Sequence, residues 1–343
     1  MAEKFDDIQS RKSDHIRLCL DPNSQSSNSV FEKYTLPYKA LPEISLDEVD
    51  TNVQLLDKTL LSPLIIASMT GGTEHGRTIN TNLAIAAEAC GVALGLGSQR
   101  IGLEKPEARD TFELVRKHAP NAFIIANMGA VQLNYGHGVD SYRKVVDMVR
   151  ADAIYLHLNP LQEALQPGGN VNFIGLLEKI KKLVDTIDVP VFVKEVGHGI
   201  SEQVALQLFA AGVTAVDVAG VGGTSYAWVE AERAKNLEFA QWFKGFGIET
   251  DESVRQVSAA RTLNDQLVIA SGGIRSPLDG LKSHALGADL FSAAVPFLKP
   301  AIESPEAVIN AIENWKQGLK IAMFACGSEN WAEAAKIDLS TKY

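Results

Sequence analysis

Residues 267–298 read LVIASGGIRSPLDGLKSHALGADLFSAAVPFL and contain two apolar runs with a helical pattern between them. The first run ends in the glycine turn SGGIR at residues 271–275, and the second run occupies residues 290–295. A strand, a turn, a helix and a second strand in this order are typical of a parallel sheet with crossover helices. Residues 267–298 therefore predict one strand–helix–strand unit.

The same alternation extends outward from this unit over most of the chain. Eight short apolar runs are separated by segments that carry helical periodicity. The runs lie at residues 63–68, 92–98, 123–129, 153–158, 189–196, 215–220, 267–273 and 290–295. Eight such repeats predict a single-domain α/β protein, a (β/α)8 TIM barrel, whose functional residues lie at the C-terminal ends of the strands.

The predicted barrel spans residues 63–326 and leaves an N-terminal extension, 1–62, and a C-terminal tail, 327–343. About 250 residues are enough for such a barrel. Residues 41–60 are expected to form a short β ribbon at the barrel bottom. The loop after strand six, residues 221–250, is long and aromatic, and two interpretations of it stay open. It is either a helical insertion packed on the barrel or another subunit, or a lid over an apolar substrate.

Composition excludes several classes of protein. The chain has 46% apolar and 22% charged residues, and no apolar run approaches the roughly 20 residues that a membrane-spanning helix needs. Its formal charge of −10 argues against nucleic acid or an anionic membrane as the main partner. The N-terminus lacks the apolar segment of a secretory signal, and the three cysteines are far apart. We expect a cytoplasmic protein that acts on a small molecule.

The turn after the seventh run is a candidate phosphate site. Gly272 and Gly273 let backbone N–H groups approach an anion, Arg275 adds positive charge, and Ala294 and Val295 stand at the end of the eighth run. In TIM barrels the loops after strands seven and eight often bind a phosphate. The alternative interpretation is an ordinary glycine turn with a surface arginine.

Four polar residues cluster after the fourth run: His157, Asn159, Gln162 and Glu163. A carboxylate combined with phosphate oxygens and water is a common way to hold Mg²⁺. Zinc is not expected, since no second histidine or cysteine has ligand spacing. The alternative interpretation is a proline-containing turn with solvated side chains.

Lys194 lies inside the fifth run, where a lysine either forms an ion pair within the barrel or contacts a ligand. The candidate ion-pair partners are Glu195 and Asp217, although Glu195 is adjacent in the strand and should point to the opposite face. Further candidates end the other runs. They are Ala67, Ser68, Met69 and Thr70 in the first, Ser98, Gln99 and Arg100 at the second, Asn127 at the third and Thr224 after the sixth.

Eight short motifs together resemble the type II isopentenyl diphosphate isomerases, which are FMN-dependent barrels. They are RKSDHI at residues 11–16, ASMTGGT at 67–73, GLGSQR at 95–100, ANMGA at 126–130, HLNPLQE at 157–163, VKEVG at 193–197, GGTSY at 222–226 and SGGIR at 271–275. Alone, RKSDHI indicates little, because a basic pair in a tail is usually solvated. Its combination with HLNPLQE is far more specific than the phosphate turn.

The resemblance implies interconversion of isopentenyl and dimethylallyl diphosphate in isoprenoid biosynthesis, by a homotetramer or larger oligomer whose N-terminal extension contributes to the active site. The implied substrate-binding residues are Arg11, Lys12, His15, Ser98, Gln99, Arg100, His157, Asn159 and Gln162, with Glu163 holding Mg²⁺. The implied FMN contacts are Ala67, Ser68, Met69, Thr70, Ser98, Asn127, Lys194 and Thr224, and for the FMN phosphate Gly272, Gly273, Arg275, Ala294 and Val295.

The reaction moves a double bond by one position, so one proton is added at the terminal alkene carbon and another is removed from C2. No barrel-mouth motif offers a carboxylate pair for these two carbons. We therefore hypothesise that reduced FMN is the acid–base catalyst and that NADPH is the reductant. Lys194, Gln162 and His157 are the expected catalytic side chains beside it.

Three other functions are compatible with a barrel of this kind. An FMN-dependent 2-hydroxy acid oxidase or dehydrogenase needs a histidine base, which His198 offers, and arginines, one of which is replaced by AVP at 294–296. A relative of IMP dehydrogenase needs a catalytic cysteine in a barrel loop, but Cys90 and Cys326 fall in helical segments. The third alternative is a non-catalytic flavin-binding or ligand-binding barrel.

Overall fold

The computed structural model describes residues 12, 14–26 and 29–341. Its strands are β1 (Tyr34–Thr35), β2 (Val53–Leu55), β3 (Lys58–Leu60), β4 (Leu64–Ile66), β5 (Ala93–Gly95), β6 (Ile124–Gly129), β7 (Ala153–His157), β8 (Val191–Lys194), β9 (Ala215–Asp217), β10 (Leu267–Ala270), β11 (Leu290–Ala293) and β12 (Ser340–Thr341). Strands β4 to β11 are parallel and close into a barrel in chain order. The predicted TIM barrel is confirmed, and each barrel strand lies within the apolar run that predicted it.

The barrel interior is filled by alternate strand residues, as the two-residue period of a β-strand requires. Ile65 and Phe192 belong to a fully buried interior cluster, whereas Leu64 belongs to the larger cluster between the barrel and the helices. Leu55 and Leu60 of the antiparallel β2–β3 ribbon pack on the interior cluster. Because β3 leads directly into the N-terminal end of β4, the ribbon closes the bottom of the barrel, as predicted.

Helices cover the outside of the barrel. They are α1 (Glu74–Cys90), α2 (Arg100–Glu104), α3 (Pro106–His118), α4 (Val139–Val149), α5 (Pro160–Leu165), α6 (Leu176–Val184), α7 (Glu202–Ala210), α8 (Tyr226–Arg233), α9 (Leu237–Phe243), α10 (Thr250–Ala259), α11 (Pro277–Ala285), α12 (Val295–Glu303), α13 (Pro305–Cys326) and α14 (Trp331–Ala334). Local sequence sets their ends: Thr73 caps α1 by accepting a hydrogen bond from the Gly76 N–H, and Gly91 ends it with a φ of 64°.

Residues 221–250 fold into two helices, α8 and α9. Helix α8 packs against α5 at the barrel mouth. Helix α9 and the turn after it present Trp242 and Phe246 to solvent, each 60% exposed. The long loop is thus a helical insertion whose first half borders the mouth and whose second half faces outward.

The C-terminal end of the described chain pairs with a short strand that follows the N-terminal segment. Strand β1 pairs with β12, and the hydroxyl of Tyr34 donates a 2.6 Å hydrogen bond to the buried carboxylate of Asp251.

The division of the chain at residues 62 and 326 stays a prediction. Within the described ranges, no helix is both long and apolar enough to cross a membrane.

Candidate active site

A cavity of about 290 Å³ lies at the C-terminal ends of the barrel strands. This volume is close to the lower end of the roughly 300–1,000 Å³ found for small-molecule sites. Nearly all predicted site residues line it: Lys12, His15, Ala67, Ser68, Met69, Thr70, Ser98, Arg100, Asn127, His157, Asn159, Gln162, Glu163, Lys194, Thr224, Gly272, Gly273, Arg275, Ala294 and Val295. Arg11 lies outside the described residues.

Gln99 does not line the cavity, which corrects its assignment as a substrate ligand. Its side chain is fully buried, and its amide donates to the Val145 carbonyl at 3.0 Å and accepts from the Asn127 N–H at 3.0 Å. Its neighbours Ser98 and Arg100 do face the cavity. Gln99 therefore holds the ends of β5 and β6 in place and has no free polar atom for a substrate.

The glycine turn after β10 forms a tight cradle at one side of the cavity. Gly272 and Gly273 have φ values of 96° and 79°, and a Cβ on them would lie 2.2 and 2.3 Å from the carbonyl oxygens of Gly220 and Gly222. Only glycine fits this close approach of two backbones. The N-terminus of α12, which begins at Val295, lines the same cavity and adds its positive dipole end.

Three buried polar atoms of the cavity wall lack hydrogen-bond partners within the described part of the chain. They are the hydroxyl oxygens of Thr70 and Ser292 and the amide oxygen of Asn159. Buried polar groups in folded proteins are nearly always paired, so each orphaned atom calls for a partner. Their common position on the cavity wall indicates that a polar ligand supplies it.

A hydrogen-bonded chain runs across the ends of β4, β6 and β7. Asn127 donates to the Ser68 hydroxyl at 3.0 Å, and its amide oxygen lies 2.7 Å from Nδ1 of His157. Since that oxygen can only accept, Nδ1 carries the proton. Burial, with the positive charges of Lys194 and Arg100, lowers the pKa of His157 to about 3. The His157 ring is therefore neutral at physiological pH, and its Nε2 is an acceptor.

Lys194 reaches the cavity from the end of β8. Its Nζ donates a 2.5 Å hydrogen bond to the carbonyl of Glu195 and lies 5.9 Å from the centre of the Tyr155 ring. None of the ion pairs between described residues includes Lys194. The Glu195 carboxylate instead accepts from the N–H groups of residues 196–198. The ion-pair interpretation of Lys194 is therefore wrong, and its charge is directed at the cavity.

Among the described residues, Glu163 is the only acidic residue that lines the cavity, and it is 8% exposed. Its carboxylate accepts from the Asn170 N–H at 2.6 Å and from the Asn159 amide at 3.1 Å. The described residues contain no group of three or more histidine, cysteine or acidic side chains placed so that they could hold a metal ion by themselves. A single carboxylate suits Mg²⁺ only where phosphate oxygens and water complete the coordination.

The N-terminal segment lies across the cavity mouth. Lys12 donates to the carbonyl of Gly71 and, at 3.4 Å, to that of Ser98. Nε2 of His15 lies 2.9 Å from a carboxylate oxygen of Glu230. Arg100 approaches from the end of β5. Cationic and hydrogen-bonding groups therefore lie around the mouth. The cavity lining also has an apolar part, to which Ile16, Met69 and the ring of Tyr226 contribute.

Glu230 was not predicted from the sequence as a functional residue. It is fully buried in α8 and accepts hydrogen bonds from Gln162 at 2.9 Å and Arg233 at 2.8 Å besides His15. Burial raises its pKa, but these three partners outweigh burial and lower the pKa to about 2. The i, i+4 spacing of Glu230 and the cavity residue Tyr226 was the one local signal that pointed to it.

Comparison with known proteins places the chain in a family. A family model described as FMN-dependent dehydrogenase matches residues 175–341. Isopentenyl-diphosphate delta-isomerase from Nostoc sp. is 46% identical over 327 residues, which cover 94% of this chain and 93% of that protein. The chain belongs to the isopentenyl-diphosphate delta-isomerase family. The family member from Ignicoccus hospitalis is 41% identical over 328 residues, which cover 94% of this chain and 91% of that protein.

The isomerase family shares its fold with more distant enzymes. A solved structure of mandelate oxidase matches this chain with a TM-score of 0.66 at 17% identity, covering 98% of this chain and 97% of that one. Identity this low shows a common fold and nothing about the reaction. The resemblance that the sequence motifs carried is confirmed by the isomerase relatives.

Proposed function

We propose that this isomerase-family protein interconverts isopentenyl and dimethylallyl diphosphate, with FMN and Mg²⁺, as a step of isoprenoid biosynthesis. One observation carries the proposal: a single cavity has two separate sets of anion-binding groups. The first is the glycine cradle at Gly272 and Gly273, and the second is the rim at Lys12, His15 and Arg100. A phosphorylated cofactor and a diphosphate substrate need two such sets, with an apolar space between them.

The residues of the cavity fit FMN. The cradle and the α12 N-terminus suit a phosphate, and the orphaned hydroxyls of Thr70 and Ser292 suit a polar heterocycle. We propose Ala67, Ser68 and Met69 as the wall beside the flavin ring. When bound and reduced, FMN supplies the acid–base function and an electron-rich face for the allylic proton shift. NADPH is the proposed reductant.

The N-terminal rim holds the substrate diphosphate in this proposal. Lys12 and Arg100 provide charge, and Asn159 and Gln162 provide amide groups. Glu163 holds Mg²⁺ together with diphosphate oxygens, because one protein carboxylate is sufficient when phosphates complete the shell. The head of the substrate is thereby fixed, and its hydrocarbon part is directed into the dry interior of the cavity.

In this proposal the protein side chains orient the substrate and stabilise the charges that develop during the reaction. Since Glu163 is committed to the metal, the cavity wall offers no further described carboxylic acid to the alkene carbons. His157 is neutral and tied to Asn127, which keeps its ring fixed in one orientation. Lys194 lines the cavity with its positive charge and would stabilise an anionic reduced form of a flavin bound there. Expulsion of water by the apolar wall favours the proton transfer over side reactions.

The main rival is an FMN-dependent 2-hydroxy acid oxidase or dehydrogenase. Its histidine base is not provided by His198, whose Nδ1 lies 2.6 Å from the Phe246 carbonyl and which does not line the cavity. Ala294 and Val295 stand where that chemistry needs an arginine. These two placements favour the isomerase.

We also propose that the protein is a homo-oligomer. Exposed aromatic side chains of the insertion, among them Trp242 and Phe246, form a surface that association would bury. The number of subunits proposed is four or more.

The decisive experiment is an anaerobic assay of the purified protein with FMN, NADPH, Mg²⁺ and isopentenyl diphosphate. We expect dimethylallyl diphosphate to form only after the flavin is bleached and only with Mg²⁺ present. Equal turnover with oxidised flavin would refute the reduced-flavin mechanism. Consumption of a 2-hydroxy acid with formation of a 2-oxo acid would establish the rival function.

A further inference from the structure

Gln25 joins the N-terminal segment to the glycine cradle. Its Nε2 donates to the hydroxyl of Thr224 at 2.8 Å, and its Oε1 accepts from Nη2 of Arg275 at 2.8 Å. Backbone pairing holds it there, since the Ser26 N–H donates to the Gly223 carbonyl and the Ser225 N–H to the Ser24 carbonyl. Gln25 thus touches the two polar side chains that flank the cradle.

The direction of these hydrogen bonds determines what the cradle offers to an anion. The two hydrogens of Gln25 Nε2 have three oxygens within 2.9 Å, those of Thr224, the Ser24 hydroxyl and the Cys19 carbonyl. Where Nε2 donates to Thr224, the hydrogen of the Thr224 hydroxyl is available to donate elsewhere. Gln25 accepts a hydrogen bond from one N–H of Arg275, which fixes the planar guanidinium. The other N–H groups of the guanidinium remain available to donate to an anion. In the described part of the chain, the Arg275 guanidinium donates to no second group. Both side chains are therefore preset as donors.

We propose that Gln25 is a positioning residue of the cradle and that it couples phosphate binding there to the N-terminal segment. The proposal rests on the proposed function, in which the cradle takes the FMN phosphate. Lys12 and His15 belong to the same segment and form the rim for the substrate diphosphate. Ordering this segment through Gln25 makes FMN and substrate favour each other's binding, and such coupling is reciprocal.

The chain offers matched variants. Gln25→Glu keeps the length of the side chain but cannot donate to Thr224, and it places a negative charge on the cradle. Gln25→Met removes the hydrogen bonds to Thr224 and Arg275 without adding charge. It also removes the bonds of Nε2 to the Cys19 carbonyl at 2.8 Å and the Ser24 hydroxyl at 2.9 Å, and Gln25→Glu loses the same two. Gln54 is the control position, because it also donates to a threonine hydroxyl, that of Thr59, but lies on the ribbon at the barrel bottom.

The test measures release of FMN from the full-length holoenzyme in a dilution series, read by flavin fluorescence. Gln25→Glu is expected to raise the Kd for FMN by about tenfold or more, and Gln25→Met by a smaller factor of about threefold or more, with Gln54→Glu within about twofold of wild type. Thermal unfolding temperatures of all variants should match the wild type, which separates positioning from folding.

The coupling is read by repeating the series with isopentenyl diphosphate and Mg²⁺ and oxidised flavin. Wild type should hold FMN more tightly with substrate present, and Gln25→Met should lose most of that gain. An active wild type whose FMN affinity is unchanged by either Gln25 substitution would overturn this inference alone. A wild type that binds no FMN would overturn the proposed function and this inference with it.

Discussion

The Glu230 carboxylate lies 2.9 Å from Nε2 of His15, although 215 positions separate the two residues in the chain. The carboxylate is fully buried, and a buried charge is tolerated only when it is paired and hydrogen-bonded. Gln162 and Arg233 complete its partners. Glu230 therefore connects the insertion, the helix that follows β7 and the N-terminal segment in one hydrogen-bonded network beside the cavity.

Replacing Glu230 by Gln should destabilise the protein at neutral pH by on the order of 3 kcal/mol. The pKa of Glu230 is about 2 in the folded protein, below its ordinary value of 4.5. The stabilisation is thus fully present above the unfolded pKa and is lost as pH falls through the folded pKa. Urea unfolding of wild type and variant from about pH 7 to about pH 3 should show the difference shrinking. A constant difference, or an equal loss in the exposed control Glu238→Gln, would contradict this role.

The fold could be predicted from the sequence because each barrel strand is a local apolar run. The position of the site could be predicted because a closed parallel barrel brings the C-terminal ends of its strands together. The error at Gln99 has the same origin as that success. Neighbouring side chains at a strand end point in different directions, so Ser98 and Arg100 reach the cavity while Gln99 turns into the wall. Sequence position alone gave the strand end and left the direction of each side chain open.

Gln25 and Glu230 could not be found in this way. Their partners Thr224, Arg275 and His15 are brought to them by the closed barrel, about 200 or more positions along the chain. Polar residues in loops and on helices are mostly solvated, so Gln25 looks like an ordinary surface residue in the sequence. For Glu230 the one local signal is its i, i+4 spacing from Tyr226, which is too common on helices to single it out.

Lys194→Met should leave the fold intact and make the bound flavin harder to reduce. Loss of a positive charge beside the ring destabilises its anionic reduced form, and for a two-electron couple a tenfold effect corresponds to about 30 mV. Spectroelectrochemical titration should show a reduction potential more negative by about this amount or more. Lys117→Met, an exposed substitution on α3, serves as the control and should not move the potential. An unshifted potential in Lys194→Met would remove the lysine from the flavin.

Glu163→Gln should abolish most of the Mg²⁺-dependent activity. The amide keeps the size of the side chain but loses the charge that a hard cation requires. We expect kcat/KM to fall by about a hundredfold or more at saturating Mg²⁺, since loss of a group that only supports a metal ligand already costs about 10–100-fold. Activity measured across a Mg²⁺ titration gives the result, with the exposed Glu178→Gln of α6 as control. A variant that keeps the wild-type Mg²⁺ dependence would show that the ion is held elsewhere.

His157 should not titrate in the working range of the protein. Its folded pKa of about 3 lies below the ordinary value of 6.5, since burial and the charges of Lys194 and Arg100 disfavour the imidazolium. His157→Gln should lower kcat/KM by about tenfold or more through loss of the fixed acceptor. The pH profile of kcat/KM between about pH 5 and about pH 8 should nonetheless keep its shape, because the ring is neutral throughout.

The measurement is therefore a comparison of two profiles, with the exposed His118→Gln as a control for the substitution itself. An inflection near pH 6 to 7 that is present in wild type and absent in His157→Gln would mean that the imidazole carries a proton in the working enzyme. Because the kcat/KM profile reports the free enzyme, the imidazolium would then exist before the substrate binds. Parallel profiles leave His157 as a neutral group that acts through its fixed orientation on Asn127.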